Sequence, residues 1–244
     1  MAIQLFKAGT EGIRTLTHDV REIRFALRAP GEISFKAGQF VSFVVTNPKT
    51  NRTVTRPYSI ASPPSQRNGV TLVLNLVKEG PGSTYLFGLR EGDQVEFKGA
   101  AGTFYLRDEA DRDVLLVATG TGIAPFRSML YDLADKQFPR AVTLFWGLRS
   151  QKDLYYQDEL AALAKRLANF TAVTTLSRPE PGWTGEAGRV TRLAEERVRS
   201  VSNLAVYLCG NSGMLQDVSE IINKKGLCPI RKEKWYDDAG EPDD

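Results

Sequence analysis

Two stretches of the chain hold residue types with chemistry to perform. Arg56-Pro57-Tyr58-Ser59 sets a guanidinium, a phenol ring and a hydroxyl side by side. A guanidinium pairs with phosphate, an aromatic ring packs on a flat heterocycle, and a hydroxyl bonds a ring nitrogen, so the set suits a flavin nucleotide. In an extended segment Arg56 and Tyr58 share one face. Taken alone, the same residues equally suit a core-facing strand. Gly80-Pro81-Gly82-Ser83-Thr84 opens a short helix, and its free N–H groups offer a cradle for a pyrophosphate.

The second stretch is Thr119-Gly120-Thr121-Gly122-Ile123-Ala124-Pro125. It follows the apolar run 114–118 directly and leads into an amphipathic segment, the strand–turn–helix context in which a dinucleotide pyrophosphate meets a helix N-terminus. Two departures from the usual fingerprint stand out. Pro125 replaces a third glycine, so close packing of helix on strand is not copied. The next strand ends at Gly147-Leu148-Arg149-Ser150 without the acidic residue that holds a ribose 2′-hydroxyl. An arginine there, with Ser177-Arg178 ending the strand after it, can neutralise a 2′-phosphate, a slight lean to NADP over NAD. Each arginine would serve as well as a plain surface charge.

The elements that must carry these residues divide the chain in two. Segments 20–27, 40–45, 59–62, 70–77 and 94–97 alternate or cluster apolar residues between turn signals, which suggests a small antiparallel β barrel. A short helix over 83–89, capped by Ser83 and ending near Gly92, interrupts them. From about residue 112 apolar strands (114–118, 141–146, 171–176, 204–209) alternate with helices (to about 134, 158–168, 190–198, 213–224), and an extended piece follows at 232–236. That rhythm indicates an α/β unit with a doubly wound parallel sheet. The boundary falls near residues 105–112, where 107–112 form a polar bridge, giving domains 1–106 and 107–244. The acidic end, 237–244, reads as frayed.

Composition removes several function classes. Of 244 residues, 32 are Lys or Arg and 29 Asp or Glu, a net charge of +3, too small to signal nucleic-acid binding. No apolar run reaches the length of a membrane span and no secretory leader is evident, so the cytosol is the default. Cys209 and Cys228 are the only two cysteines, so any iron–sulfur centre is expected on another protein. The single histidine, His18, reads as a solvated strand residue, which leaves no basis for histidine catalysis or a metal site.

In order and spacing, Arg-x-Tyr-Ser, Gly-x-x-Ser, Gly-Thr-Gly-x-x-Pro and a strand ending Cys-Gly resemble the ferredoxin–NADP⁺ reductase family over about residues 5–236. The resemblance implies an FAD-binding barrel followed by an NAD(P)-binding domain. It implies that Arg56 contacts the FAD pyrophosphate, Tyr58 stacks near the isoalloxazine and Ser59 bonds the flavin N5 edge. Asn75, Leu76 and Val77 would line the flavin, Gly82, Ser83 and Thr84 its pyrophosphate, and Thr119, Gly120 and Thr121 the nicotinamide nucleotide. Cys209-Gly210 would shape the approach of the nicotinamide ring. Trp235 or Tyr236 would cover the exposed flavin face.

The expected activity is hydride transfer from NAD(P)H to FAD, followed by single-electron transfer to a ferredoxin or flavodoxin, with a monomer as the default state. Alternatives are a reductase component serving an oxygenase or other iron–sulfur protein and, from a different class, a non-catalytic flavin- or nucleotide-binding regulatory subunit.

Overall fold

In a computed structural model, residues 3–108 and 111–234 are described; Trp235, Tyr236 and the acidic end 237–244 lie outside them. The N-terminal half contributes β1 (Gln4–Thr15), β2 (Val20–Ala29), β3 (Phe40–Thr46), β4 (Thr53–Ser59), β5 (Gly69–Asn75), helix α1 (Pro81–Gly88) and β6 (Gln94–Ala101). These six strands form one antiparallel sheet in the order β4-β3-β6-β1-β2-β5. The sheet curls into a half-barrel, and a bridge between Ile60 and Leu72 draws its two edges together. Inward-facing Phe6, Phe25, Phe43 and Phe97 fill the centre, with the Phe43 and Phe97 rings 5.5 Å apart.

The second half contains β7 (Asp113–Thr119), a 3-10 turn (Gly120–Gly122), α2 (Ile123–Asp135), β8 (Val142–Leu148), α3 (Gln157–Arg166), β9 (Phe170–Leu176) and β10 (Glu186–Ala187). After these come α4 (Val190–Arg197), β11 (Leu204–Gly210), α5 (Ser212–Lys225) and β12 (Ile230–Lys234). Its parallel sheet runs β10-β9-β8-β7-β11-β12. β7 buries nearly its whole length, as a strand covered on both faces must. Residues of α2 and α3 pack on one face, and those of α4 and α5 on the other. The chain leaves β7 for β8 on one side and later returns to β11 on the other. The crevice between the ends of β7 and β11 is therefore the topological switch point, where open α/β sheets bind ligands.

Several expectations need correction. β1 was not expected: bulges near Lys7 and between Thr10 and Gly12 break its alternation. The half-barrel therefore has six strands rather than five segments. The short helix starts earlier, at Pro81 with Gly80 as its cap, so Ser83 lies inside it; it ends at Gly88 rather than near Gly92. Arg56 to Ser59 belong to β4 itself, whereas the expected strand 59–62 reduces to the Ile60 bridge. His18 is exposed in the bend between β1 and β2, not in a strand. Among the described residues no helix is long and apolar enough to cross a membrane.

The two halves meet through both apolar and polar contacts. Val20, Ala37, Ala61 and Val73 of the antiparallel half join the core under α2 and α3. Above them the Arg127 guanidinium of α2 donates to Glu159 of α3 (2.6 Å) and to the Ala61 carbonyl (2.8 Å). Burial works against the Arg127 charge, but Glu159 and the neighbouring Tyr156 and Glu22 raise its pKa overall, so it stays a cation. Tyr156 donates across the interface to Glu22 of β2. Removing one partner of such a set strands the other charges, so Arg127→Ala should lower unfolding free energy by roughly 3 kcal/mol. Chemical denaturation of the variant beside the wild type checks this.

Candidate functional site

The β3–β4 register sets Phe43 opposite Arg56 and Val41 opposite Tyr58, so both β4 side chains share a face as alternation predicts. α1 starts against that face. A Cβ on Gly82 would collide with the Tyr58 hydroxyl and stand 2.9 Å from Arg56 Cβ and Cγ, so only glycine lets the helix approach so closely. Pro81 lacks an N–H, and the Thr84 N–H returns to the Gly80 carbonyl (2.9 Å). The Gly82 and Ser83 N–H groups in this first turn have no acceptor within the helix. The Ser83 hydroxyl closes its own loop, accepting from the Val77 N–H (3.1 Å) and donating to the Gly80 carbonyl (3.1 Å). Tyr58 meets Phe43 edge-on at 6.0 Å, which fixes its ring.

A cleft of about 540 Å³ opens beside this face, within the usual range for small-molecule sites. Arg56, Pro57, Tyr58, Ser59, Asn75, Val77 and Ser83 line it, whereas Leu76, Gly82 and Thr84 do not. Leu76 and Thr84 point to solvent, and Gly82 is buried. Phe40, Thr103 and Phe104 complete the wall, and Lys232, Glu233 and Lys234 of β12 enter from the other half.

Glu233 is the functional candidate that sequence reasoning passed over. Parallel pairing sets it opposite Cys209 on β11, and its carboxylate accepts from the Ser59 hydroxyl at 3.2 Å. Burial raises its pKa to about 7, with the Ser59 hydrogen bond offsetting part of the rise. The sequence holds one signal for it: an acid between two lysines in a strand, on the opposite face from both. Its partner Ser59 is 174 residues away, so only the fold brings the pair together. Trp146 and Tyr155, which bond the glycine turn, were passed over for the same reason.

At the switch point the Thr121 hydroxyl donates to the Asn75 side-chain oxygen (3.1 Å), joining the glycine turn to the wall of the cleft. The Asn211 N–H donates to the Thr119 hydroxyl (3.3 Å), which ties the β7 end to the residue after Gly210. Cys209 is wholly buried and does not line the cleft. Further out, the Ser177 N–H donates to the Leu148 carbonyl and the Arg178 N–H to that of Arg149 (2.9 and 2.7 Å), so Arg149 and Arg178 stand side by side, both exposed. Trp235 lies outside the described residues. Among those residues His18, Asp19 and Asp153 bring possible metal-ligating atoms within 4.8 Å of one another. The Asp153 carboxylate there already accepts from the Ser150 N–H and hydroxyl (2.7 and 2.9 Å).

The donor set fits a flavin nucleotide. A guanidinium and two helix N–H groups without an acceptor in their own helix suit a phosphate end, with a fixed phenol ring and a hydroxyl–carboxyl pair further along. The switch-point turn separately fits a dinucleotide.

Comparison with known proteins agrees. The family models for an oxidoreductase FAD-binding domain and an oxidoreductase NAD-binding domain match residues 10–105 and 116–220. The chain is 34% identical over 223 residues to ferredoxin–NADP reductase B of Sorangium cellulosum, covering 88% of this chain and 90% of the relative. It is 31% identical over 226 residues to the toluate 1,2-dioxygenase electron transfer component of Pseudomonas putida, covering 92% of this chain but 65% of that one. The crystal structure of the Amycolatopsis cytochrome P450 reductase GcoB superposes with a TM-score of 0.85 at 26% identity, over 95% of this chain and 70% of that one. A half-barrel that presents a phosphate cradle, an α/β sheet with its glycine turn at the switch point, and a 34% identical reductase matched along 90% of its length have one explanation: the chain belongs to the ferredoxin–NADP⁺ reductase family, flavoenzymes that take electrons from NAD(P)H.

Proposed function

We propose that this chain carries electrons from NAD(P)H through FAD to a small one-electron carrier, a ferredoxin or flavodoxin. The observation that carries the reading is the hydrogen bond between Thr121 and Asn75, because it joins the glycine turn of the parallel sheet directly to a residue that lines the cleft of the antiparallel half. The family matches, which stop at 105 and resume at 116, support a division into 1–106 and 107–244. Bound FAD supplies the conversion between the two-electron chemistry of a nicotinamide and single-electron release.

The remaining work belongs to side chains. Arg56 and the first turn of α1 hold the diphosphate, with Gly82 and Ser83 contributing backbone N–H groups and Thr84 closing the turn onto the Gly80 carbonyl. Tyr58 supports the ring system and Asn75 and Val77 border it, whereas the Leu76 side chain points to solvent, so Leu76 contributes backbone only. Ser59 bonds the flavin edge and connects it to Glu233, which exchanges a proton near neutral pH. Thr119, Gly120 and Thr121 receive the dinucleotide. Cys209 and Gly210 shape the floor at the nicotinamide end. Arg149, Ser177 and Arg178 form a cationic, hydroxyl-bearing end suited to a 2′-phosphate, which favours NADP. A second reading, delivery to an oxygenase component, is supported by the likeness to the dioxygenase electron transfer component.

The purified protein should be yellow and bleach on adding NADPH. Cytochrome c reduction should require added ferredoxin or flavodoxin and run faster with NADPH than with NADH. Reduction equally fast without any carrier would refute the carrier reading. Arg56→Ala should emerge largely flavin-free, a loss read from the absorbance ratio at the flavin and protein bands; a full complement of flavin would remove Arg56 from the phosphate site.

Glu233 makes a pH prediction with a definite sign. Its folded pKa lies above the ordinary value of 4.5, so the native state binds the extra proton between about 4.5 and about 7. The associated stability is fully present below about 4.5 and lost as pH rises through about 7. Glu233→Gln removes that dependence. The melting temperature of the variant relative to wild type should therefore climb between about pH 4.5 and about pH 7 and level off above it.

A further inference from the structure

The Gly120 carbonyl is bonded twice from behind. Trp146 Nε1 donates to it at 2.9 Å and the Tyr155 hydroxyl at 3.2 Å. Both donors are buried, and the rings meet edge-on at 4.8 Å, so neither can swing away without disturbing the other. Burial, then Asp19 and Asp153, raise the Tyr155 pKa well above its ordinary value, so the hydroxyl remains a neutral donor.

A planar trans peptide points its C=O and N–H in opposite directions. Tying the Gly120 carbonyl to the aromatic pair therefore aims the Thr121 N–H away from it. Gly120 is exposed, and a Cβ on it would meet nothing within 4 Å. The same peptide leads into Thr121, whose hydroxyl is held by Asn75. Peptide orientation and side-chain direction at the turn are thus both fixed before any ligand arrives.

The backbone holding Tyr155 is also specific. Tyr156 caps α3 in the left-handed region, φ 57° and ψ 11°, an uncommon conformation for a bulky residue. That twist sends neighbouring tyrosines in opposite directions, Tyr155 to the glycine turn and Tyr156 to Glu22 of the half-barrel, with their rings 5.1 Å apart.

We propose that Trp146 and Tyr155 are positioning residues for the nicotinamide dinucleotide. By holding the Gly120 carbonyl they pre-orient the backbone N–H donors of the turn toward the diphosphate. A donor fixed in advance costs less to order on binding. The role is exerted on binding rather than on electron transfer, and it rests on the placement of the dinucleotide at this turn.

The test titrates NADP⁺ calorimetrically onto flavin-loaded wild type, Tyr155→Phe, Trp146→Phe and Gly120→Asn, with NADPH-dependent flavin bleaching followed in parallel. Tyr155→Phe keeps the ring and deletes the donor. Its Kd and KM should rise about fivefold, the worth of one hydrogen bond, while kcat at saturating NADPH and flavin content stay within about twofold. Trp146→Phe should act in the same sense. Asn tolerates the φ of +52° at position 120 and adds a side chain on the open side, so Gly120→Asn should weaken NADP⁺ at least as much. If Gly120→Asn weakens NADP⁺ while Tyr155→Phe leaves Kd within about twofold, the positioning role is overturned and the site stands. An unchanged Kd in Gly120→Asn would overturn the placement of the dinucleotide and the positioning role with it. A fall in kcat or melting temperature at unchanged Kd in Tyr155→Phe would mark its hydroxyl as packing only and overturn the proposal.

Discussion

Arg127 sits one turn into α2, just beyond the glycine turn, and its guanidinium donates to the carbonyl of Ala61, two residues after Ser59. One side chain thus ties the helix that follows the glycine turn to the end of the strand that carries Ser59. Electron transfer between groups held on two separate sheets requires a fixed distance, and a single carbonyl acceptor sets that distance more sharply than apolar contact can. Glu159, on α3, keeps the guanidinium charged and aimed, so the link also depends on the second helix of the parallel half. The cost is desolvation of an ion pair, which buried charges repay only with good geometry and full hydrogen bonding.

Apolar and polar contacts divide the labour at this interface. Val20, Ala37, Ala61 and Val73 are small or branched and contribute adhesion with little directional preference. Tyr156 to Glu22, Thr121 to Asn75 and Ser59 to Glu233 supply register, each joining residues far apart in sequence. The last lies in the cleft itself and the second reaches its wall at Asn75, so the contacts that orient the halves also shape the site.

How much could be read from the sequence follows from the range of the interactions. The apolar run before Gly120 and the strand–helix rhythm after residue 112 are local, and both appear where periodicity puts them. Alternation also gave the shared face of Arg56 and Tyr58. β1 was hidden because its bulges shift the alternation and because Gly9 and Gly12 offer no side chain, their place being covered by the guanidinium groups of Arg28 and Arg24. The start of α1 was misread at Ser83 because serine is a common cap. Here its hydroxyl closes a loop with Val77, and proline at the first helical position sets the true boundary. Glu233, Trp146 and Tyr155 carry no local signature, since their partners are supplied by sheet order and chain crossover.

Glu233 shows why such residues are informative. β12 alternates, with Lys232 and Lys234 exposed and Glu233 turned toward Ser59. An apolar residue would fill that partly buried position without the penalty that drives the carboxyl pKa up to about 7. Stability alone therefore gives no reason for a carboxyl there, and local rules broken at a cost mark functional positions. The kind of function follows from the environment. A group that is half protonated near neutrality, bonded to a hydroxyl and set inside the cleft between the two sheets can hold a proton or yield one as charge on a neighbouring ring changes. The chain has a single histidine, exposed in a bend, so the group that the fold places in this cleft with a pKa near neutrality is a buried carboxyl instead.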